Sequence, residues 1–79
     1  MVGEVIVYST PLCAPCERLK AYLRARRVAY RVSDLLLDEA AAERLEALGI
    51  RSAPALEIDG RILAGRELEP ARLDTLLGL

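Results

Sequence analysis

From residue 7 the chain reads Val7-Tyr8-Ser9-Thr10-Pro11-Leu12-Cys13-Ala14-Pro15-Cys16, and a change of pattern inside this stretch decides the fold. The apolar run that ends at Tyr8 has the length of a strand, and the residues after it are typical of a turn. From Cys13 onward the apolar residues recur at helical spacing on one face, at Cys16, Leu19 and Leu23. The stretch therefore predicts a strand between Val2 and Tyr8, followed directly by a helix that ends near Arg26-Arg27.

The two cysteines of the chain lie at this junction of strand and helix. A thiol at a helix N-terminus faces free N–H groups and the positive end of the helix dipole, and both stabilise a thiolate. Thiolate is the species that attacks a disulfide. Cys16 lies nearly one helical turn after Cys13 and points further into the domain. The position predicts Cys13 as an exposed nucleophile and Cys16 as a more buried resolving thiol.

Reversible dithiol exchange is the interpretation that we favour for this pair, and two others compete with it. A structural disulfide would close a very short loop, which stabilises a fold little. A tetrahedral metal site needs four ligands, whereas the chain has two cysteines and no histidine. We therefore expect no metal within one chain, although an iron–sulfur cluster that bridges two chains stays open.

The rest of the chain alternates between strand and helix patterns. Val28 to Val32 alternates like a strand, and Asp38-Glu39 begins a helix that stops at Gly49. Two short strand-like runs then flank Asp59-Gly60, which is a strong hairpin signal. The predicted order is therefore β-α-β-α-β-β-α, an α/β fold with helices on both faces of the sheet.

Three further predictions concern the ends and loops of these elements. The hairpin strands are predicted at Ala55-Leu56-Glu57-Ile58 and at Arg61-Ile62-Leu63. Glu69-Pro70 opens a last helix whose inward residues are predicted to be Leu73, Leu76 and Leu77. We expect the apolar run Leu35-Leu36-Leu37 to form a buried loop.

Size and charge restrict the class of protein. The chain has 79 residues, so we expect residues 1–79 to form one domain with a modest core. The formal net charge of −1 gives no reason to expect a nucleic-acid or anionic-membrane partner. No segment approaches the ~20 apolar residues that span a bilayer, and no signal-peptide pattern is present. We expect a monomer that is located in the cytoplasm. In that compartment neighbouring cysteines are more often reactive than structural.

With these residues in view, the sequence resembles the glutaredoxin branch of the thioredoxin superfamily over nearly its whole length. Besides the stretch quoted above, the resemblance rests on Arg51-Ser52-Ala53-Pro54 and, more loosely, on Leu63-Ala64-Gly65-Arg66-Glu67. It implies a minimal thioredoxin fold, with a central four-stranded mixed sheet flanked by three helices. It also implies that Pro54 is a cis-proline beside the sulfurs, and that Ala53 offers its backbone to an extended substrate.

The resemblance implies further substrate-binding residues. Pro15 lies between the cysteines, and Gly65 with the neighbouring amides of Arg66 and Glu67 could hold an α-carboxylate. Equally, Gly65 could only turn the chain into the last helix. Arg51 could supply positive charge to a substrate, or it could be a solvated loop cation.

The electron donor stays open between glutathione and a NADPH-dependent thioredoxin reductase, and no bound cofactor is expected. Relatives that use glutathione usually have a basic residue three positions before the nucleophile and a tyrosine before the second cysteine. This chain has Thr10 and Pro15 there, which weakens the case for glutathione. The segment that begins at Arg51 is more similar to glutaredoxin-like redoxins that thioredoxin reductase reduces.

The resemblance implies a dithiol thiol–disulfide oxidoreductase that reduces protein disulfides or glutathione mixed disulfides through Cys13 and Cys16. Its expected partners are disulfide-containing proteins and the electron donor. The alternative on the same fold is a redox-sensitive binding module or iron–sulfur carrier without turnover.

Overall fold

The computed structural model describes residues 3–78, and its elements follow the predicted order. The prediction for Val2 lies outside these residues. One element was not predicted, a short 3₁₀ helix between the last strand and the last helix. The elements are β1 Val5–Ser9, α1 Ala14–Ala25, β2 Arg31–Asp34, α2 Glu39–Ala47, β3 Ala55–Ile58, β4 Arg61–Ala64, the 3₁₀ helix Gly65–Leu68 and α3 Pro70–Leu77.

The four strands form one mixed sheet in the order β2-β1-β3-β4. β1 pairs in parallel with β2 and antiparallel with β3, and β4 completes the hairpin beside β3. The hairpin turns at Asp59-Gly60, where φ is 49° and 86°, as an Asp-Gly turn between two strands requires. The thioredoxin-like architecture that the resemblance implied is confirmed. Across residues 3–78, no helix is long and apolar enough to cross a membrane.

The core is divided between the two faces of the sheet. On one face, α1 and α3 pack against the strands through Val5, Val7, Leu19, Leu23, Leu56, Ile58, Leu63, Leu73 and Leu77. On the other face, α2 packs through a smaller cluster made of Ile6, Tyr8, Ala41, Leu45 and Ala55. This division follows from strand geometry, because successive residues of β1 point to opposite faces.

The predicted second strand is wrong in its position, because β2 begins at Arg31 instead of Val28. The residues directly after α1 donate hydrogen bonds to the free carbonyl groups of its last turn. Arg27 adopts a left-handed φ of 59°, and the Val28 amide donates to the Leu23 carbonyl at 2.9 Å. This is the closing pattern of a Schellman motif. The Val28 amide is therefore not available to a strand.

The predicted burial of three leucines is also wrong. Leu36 and Leu37 are 69% and 83% exposed. The Leu35 amide donates to Ser9 at 2.9 Å and keeps Leu35 half-buried, whereas the next residues turn outward around Asp34. Leu76 is 37% exposed because the Leu73–Leu77 line of α3 faces the sheet, and Leu76 lies about 100° away from Leu77 around the helix.

Candidate redox site

Cys13 and Cys16 lie where β1 gives way to α1, and they form a disulfide with a Cα–Cα distance of 5.2 Å. Cys13 is the N-cap residue of α1, and its sulfur accepts a hydrogen bond from the Cys16 amide at 3.1 Å. Cys13 is half-buried, whereas Cys16 is completely buried. The predicted difference in exposure between the two cysteine residues is confirmed.

The start of α1 gives this site its electrostatic character. The amide that reaches the Cys13 sulfur is one of the free N–H groups of a helix N-terminus, so it stabilises negative charge there. Glu17 brings an opposing negative charge to the first turn, but Lys20 pairs with it at 2.5 Å. The N-terminus of α1 therefore stabilises negative charge on the Cys13 sulfur, and the opposing charge of Glu17 is offset by Lys20.

The loop before β3 lies beside the cysteine-bearing helix. The Ala53–Pro54 peptide bond is cis, as predicted for Pro54. Ala53 and Pro54 line a groove of about 370 Å³ that also reaches α1, the 3₁₀ helix and α3. Besides these two residues, the groove is lined by Pro15, Arg18, Leu19, Tyr22, Ser52, Gly65, Leu68, Pro70 and Leu73. The structure thus brings four of the predicted site residues, Pro15, Ala53, Pro54 and Gly65, to one groove.

Arg51 lines a different hollow, which we call the α2 hollow. Its volume is about 390 Å³, and it shares only Ser52 and Ala53 with the first groove. The remaining lining residues are Thr10, Leu35, Ala42, Leu45, Glu46, Ile50 and Arg51. Thr10, where glutathione-using relatives have a basic residue, therefore lies in the same hollow as Arg51.

Arg66 and Glu67 are not among the residues that line the groove, within the part of the chain that the structure describes. A Glu67 carboxylate oxygen instead accepts from the Ala64 amide at 3.4 Å, where the 3₁₀ helix begins. Glu67 also lines a separate hollow that contains Arg61 and Arg72. The Arg66 carbonyl accepts from the Glu69 amide at 3.2 Å. A substrate-binding role for Arg66 and Glu67 stays a prediction from the resemblance.

The groove residues that were not predicted as site residues include two polar ones of α1, Arg18 and Tyr22. Arg18 and Tyr22 follow Pro15 at positions i+3 and i+7, so all three lie on one face of α1. The Tyr22 hydroxyl donates to an Asp74 carboxylate oxygen and also lies 3.3 Å from the Pro70 carbonyl, so it ties α1 to α3. Helical spacing from Pro15 was the signal that could have identified both residues.

Across residues 3–78, no group of three or more His, Cys, Asp or Glu side chains is placed to hold a metal ion. An iron–sulfur cluster shared by two copies of the chain would have to draw ligands from both. That alternative remains a prediction from the sequence.

Comparison with known proteins agrees with this geometry. Residues 5–63 match the family model described as Glutaredoxin. An uncharacterized glutaredoxin-like 8.6 kDa protein in the rubredoxin operon of Clostridium pasteurianum is 31% identical over 72 residues, which cover 90% of this chain and 93% of that protein.

Solved structures of other proteins share the fold of this chain. The thioredoxin-like protein BC3987 is 35% identical, with a TM-score of 0.77 over 92% of this chain and 99% of that one. NrdH-redoxin from Escherichia coli shares the fold, with a TM-score of 0.82 over 94% of this chain and 95% of that one, at 22% identity. The chain therefore belongs to the glutaredoxin family, and its Cys13–Cys16 pair serves thiol–disulfide redox chemistry.

Proposed function

We propose that the chain is a dithiol oxidoreductase that reduces the disulfides of other proteins. The observation that carries the proposal is the 3.1 Å hydrogen bond from the Cys16 amide to the Cys13 sulfur. It places the more accessible sulfur of the pair on the N–H groups of a helix start, where a thiolate is stabilised. The half-buried state of Cys13 and the complete burial of Cys16 support their division into nucleophile and resolving thiol.

The reaction consists of two thiol–disulfide exchanges. The Cys13 thiolate attacks one sulfur of the substrate disulfide, forms a mixed disulfide and releases the other substrate sulfur as a thiolate that takes a proton from water. Cys16 then loses its proton and attacks the Cys13 sulfur. The Cys13–Cys16 bond forms, the second substrate thiol leaves, and two electrons have passed from the cysteine pair to the substrate.

Ala53 supports the same proposal. It lines both the groove and the α2 hollow, directly before the cis-proline. An extended substrate segment that passes Cys13 would meet the backbone of this loop and could pair with it as an added strand. The groove would then receive the side chains on one side of the segment.

For the electron donor we propose a NADPH-dependent thioredoxin reductase rather than glutathione. Glutathione has two carboxylates, which bind most strongly where positively charged side chains meet them. The α2 hollow offers one cation, Arg51, together with the acidic Glu46, and Thr10 adds no charge. Thioredoxin reductase would bind through a protein surface, so its binding does not depend on positive charge in the α2 hollow.

Replacing each cysteine tests the proposed roles. We expect Cys13→Ser to abolish disulfide reduction and Cys16→Ser to accumulate a mixed disulfide, visible by mass spectrometry as an adduct of the substrate on Cys13. Because Cys16 is completely buried, Cys16→Ala serves as a second variant that places no hydroxyl in the core. Ala21→Ser, at an exposed position of α1 that does not line the groove, is the matched control and should keep activity. Undiminished exchange by the Cys13→Ser protein would contradict the assignment.

A further inference from the structure

β2 lies at an edge of the sheet, and its outer side is open. Within the described residues 3–78, the strand pairs with β1 and has no strand on its other side. An edge strand presents unpaired N–H and C=O groups, which natural sheets often protect with a proline, a bulge or a charged residue at the centre of the strand. β2 has an unbroken register, no proline, and Val32 and Ser33 at its centre. Its outer side is therefore suited to pairing with another strand.

The side chains along β2 are divided between the two faces of the sheet. Val32 lies in register with Val7, whose side chain belongs to the cluster under α1 and α3. Arg31 lies in register with Ile6, whose side chain belongs to the cluster under α2. Side chains alternate along a strand, so every second residue shares a face. The α1–α3 face therefore carries Tyr30, Val32 and Asp34, and the α2 face carries Arg31 and Ser33.

A second copy of the chain can pair with β2 in only a few registers. Two copies related by a two-fold axis through the sheet pair antiparallel, and each side chain keeps its own face. Opposite residues must share a face, so one residue of the strand lies on the axis, opposite its own copy. Within β2 the possible central residues are Arg31, Val32, Ser33 and Asp34.

Charge favours the register that is centred on Val32. A centre at Arg31 or at Asp34 places like charges directly opposite each other, which is unfavourable. A centre at Ser33 places Arg31 opposite Leu35, so no charge meets an opposite one. A centre at Val32 avoids these conflicts and joins two β-branched apolar side chains across the axis, a pair that stabilises a sheet.

On the α2 face, this register brings Arg31 toward an acidic residue. Arg31 lies opposite Ser33 of the second copy, and the Ser33 hydroxyl donates to an Asp38 carboxylate oxygen at 3.1 Å. The Arg31 side chain is 63% exposed and lies 3.4 Å from Glu4 of its own chain. It is therefore accessible to the Asp38 carboxylate of a second copy.

On the α1–α3 face, the same register brings Asp34 toward a basic residue. Asp34 lies opposite Tyr30 of the second copy, and the Tyr30 hydroxyl accepts from Arg24 at 2.9 Å. Two-fold symmetry repeats every contact, so each face carries two combinations of opposite charge. Because β2 is complementary to itself in this way, a second copy of the chain fits it better than an unrelated strand.

We propose that two copies of the chain pair through β2, with Val32 of each copy at the centre, and join their sheets into one. The dimer differs from the monomer expected from the sequence, because the pairing depends on which side chains share a face of the folded sheet. It also covers a hollow of about 560 Å³ along β2, which is lined in part by Leu37, a leucine that is 83% exposed. One pair of short strands buries less than the ~1,200–2,000 Å² of stable interfaces, so the dimer is weak and forms at high protein concentration.

Sedimentation equilibrium with a reductant present measures this association without any intermolecular disulfide. The mass of the wild-type protein should rise with concentration from that of one chain toward that of two. Val32→Lys and Val32→Glu each place like charges across the axis, so each should weaken the dimer about tenfold. An equal mixture of the two variants places lysine opposite glutamate and should restore the dimer. Residue 32 meets its own copy in this register alone, so the mixture tests the register as well as the surface.

The controls separate pairing at β2 from other causes. Leu76→Lys and Leu76→Glu change an exposed leucine beside β4, at the opposite edge of the sheet. Both should associate like the wild type, alone and mixed. The urea midpoint of each Val32 variant shows whether it is folded. Added salt tests the unaltered protein and should weaken its dimer, because salt screens charges at the surface.

Each contrary outcome overturns a stated part of this inference. Wild-type protein that stays monomeric at every concentration overturns the dimer. A dimer that the folded Val32 variants leave unchanged uses another surface, and a mixture that stays as monomeric as its components contradicts the register. A wild-type dimer that tightens in salt contradicts the role of the charges. The interface contains neither Cys13 nor Cys16, so none of these outcomes bears on the proposed redox function.

Discussion

Thr10 and Arg51 share the α2 hollow, and the charge of this hollow bears on the choice of electron donor. The resemblance implies that a basic residue, which is usual in glutathione-using relatives at the position of Thr10, would pair with a glutathione carboxylate. Here Arg51 faces the hollow together with Glu46, so the local positive charge is offset. A single added cation is therefore the smallest change that could favour glutathione.

We expect Thr10→Lys to raise the rate at which glutathione reduces the oxidised protein by about tenfold, because a charge-assisted hydrogen bond contributes about 1.5–3 kcal/mol. Reduction by NADPH and thioredoxin reductase should change little. Both rates are measured from the same oxidised stock by counting the free thiols. Thr75→Lys, on the exposed face of α3, adds the same charge elsewhere and is the control. If wild-type protein is already reduced rapidly by glutathione, the proposed donor is wrong.

For single residues, the sequence predicted the roles of the two cysteines better than the arrangement of the residues around them. The spacing of Cys13 and Cys16 and their place before a helix were sufficient to predict which sulfur is accessible. The resemblance supplied the cis bond at Pro54. The left-handed conformation of Leu12 was not predicted, because leucine disfavours it, although Pro11 marks the turn in which Leu12 lies. Arg51 and Gly65 proved to line separate cavities, which only the folded chain could show.

Among the elements, α1 and α3 are tied together by a polar cluster at the groove. The Tyr22 hydroxyl donates to Asp74, and the Arg26 guanidinium lies 3.4 Å from the same carboxylate. Burial, reinforced by the hydrogen bond to Asp74, raises the pKa of Tyr22. Because Tyr22 also lines the groove, this cluster fixes the distance between two of the groove's walls.

Tyr22→Phe should lower the free energy of unfolding by about 1 kcal/mol, since it removes one partly exposed hydrogen bond to a charged group. Urea unfolding followed by circular dichroism measures the difference. Tyr30→Phe, which removes a hydroxyl that accepts from Arg24 at 2.9 Å on the surface, is the matched control and should change the midpoint less. A larger loss in the control would show that the α1–α3 tie contributes little.

The sequence predicted the three α-helices and the four strands of the described chain, but it missed how neighbouring elements share backbone groups. Periodicity alone placed the second strand at Val28, whereas the closure of α1 uses that amide. The apolar side chains of Leu36 and Leu37 led to a prediction of burial, but the turn around Asp34 directs them outward. The 3₁₀ helix after Ala64 had no periodic signal, because a single turn is too short to show one.

For the molecule as a whole, a second polar cluster joins α2 to the sheet. The Tyr8 hydroxyl donates to Glu57 at 2.7 Å and accepts from Arg44 at 2.5 Å, and Arg44 also pairs with Glu57. Burial of Tyr8, together with its hydrogen bond to Glu57, raises its pKa to about 12. The proton on this tyrosine is therefore linked to the stability of the whole fold.

The sign of this linkage follows from the two pKa values. The unfolded chain releases the Tyr8 proton near pH 10, whereas the folded chain keeps it to about pH 12. Between these values unfolding releases a proton, so the free energy of unfolding falls as the pH rises. The full stabilisation is present below pH 10.

Urea unfolding at intervals from pH 9 to pH 11.5 tests this linkage. We expect the wild-type stability to fall more steeply with pH than that of Tyr8→Phe, which has no proton to release at this position. Tyr30→Phe retains the Tyr8 hydroxyl and should keep the steeper slope. Parallel slopes for wild type and Tyr8→Phe would show that this proton is not linked to folding.

The division of the core between the two faces of the sheet bears on how such a chain can diverge over evolution. The cysteine pair opens α1, on the face with the larger buried cluster, whereas α2 buries only Ala41 and Leu45 on its own face. The same α2 supplies Ala42 and Glu46 to the hollow beside Ala53. Because α1 and α2 pack on opposite faces of the sheet, substitutions that reshape the α2 hollow can accumulate in evolution while the reacting sulfurs keep their positions.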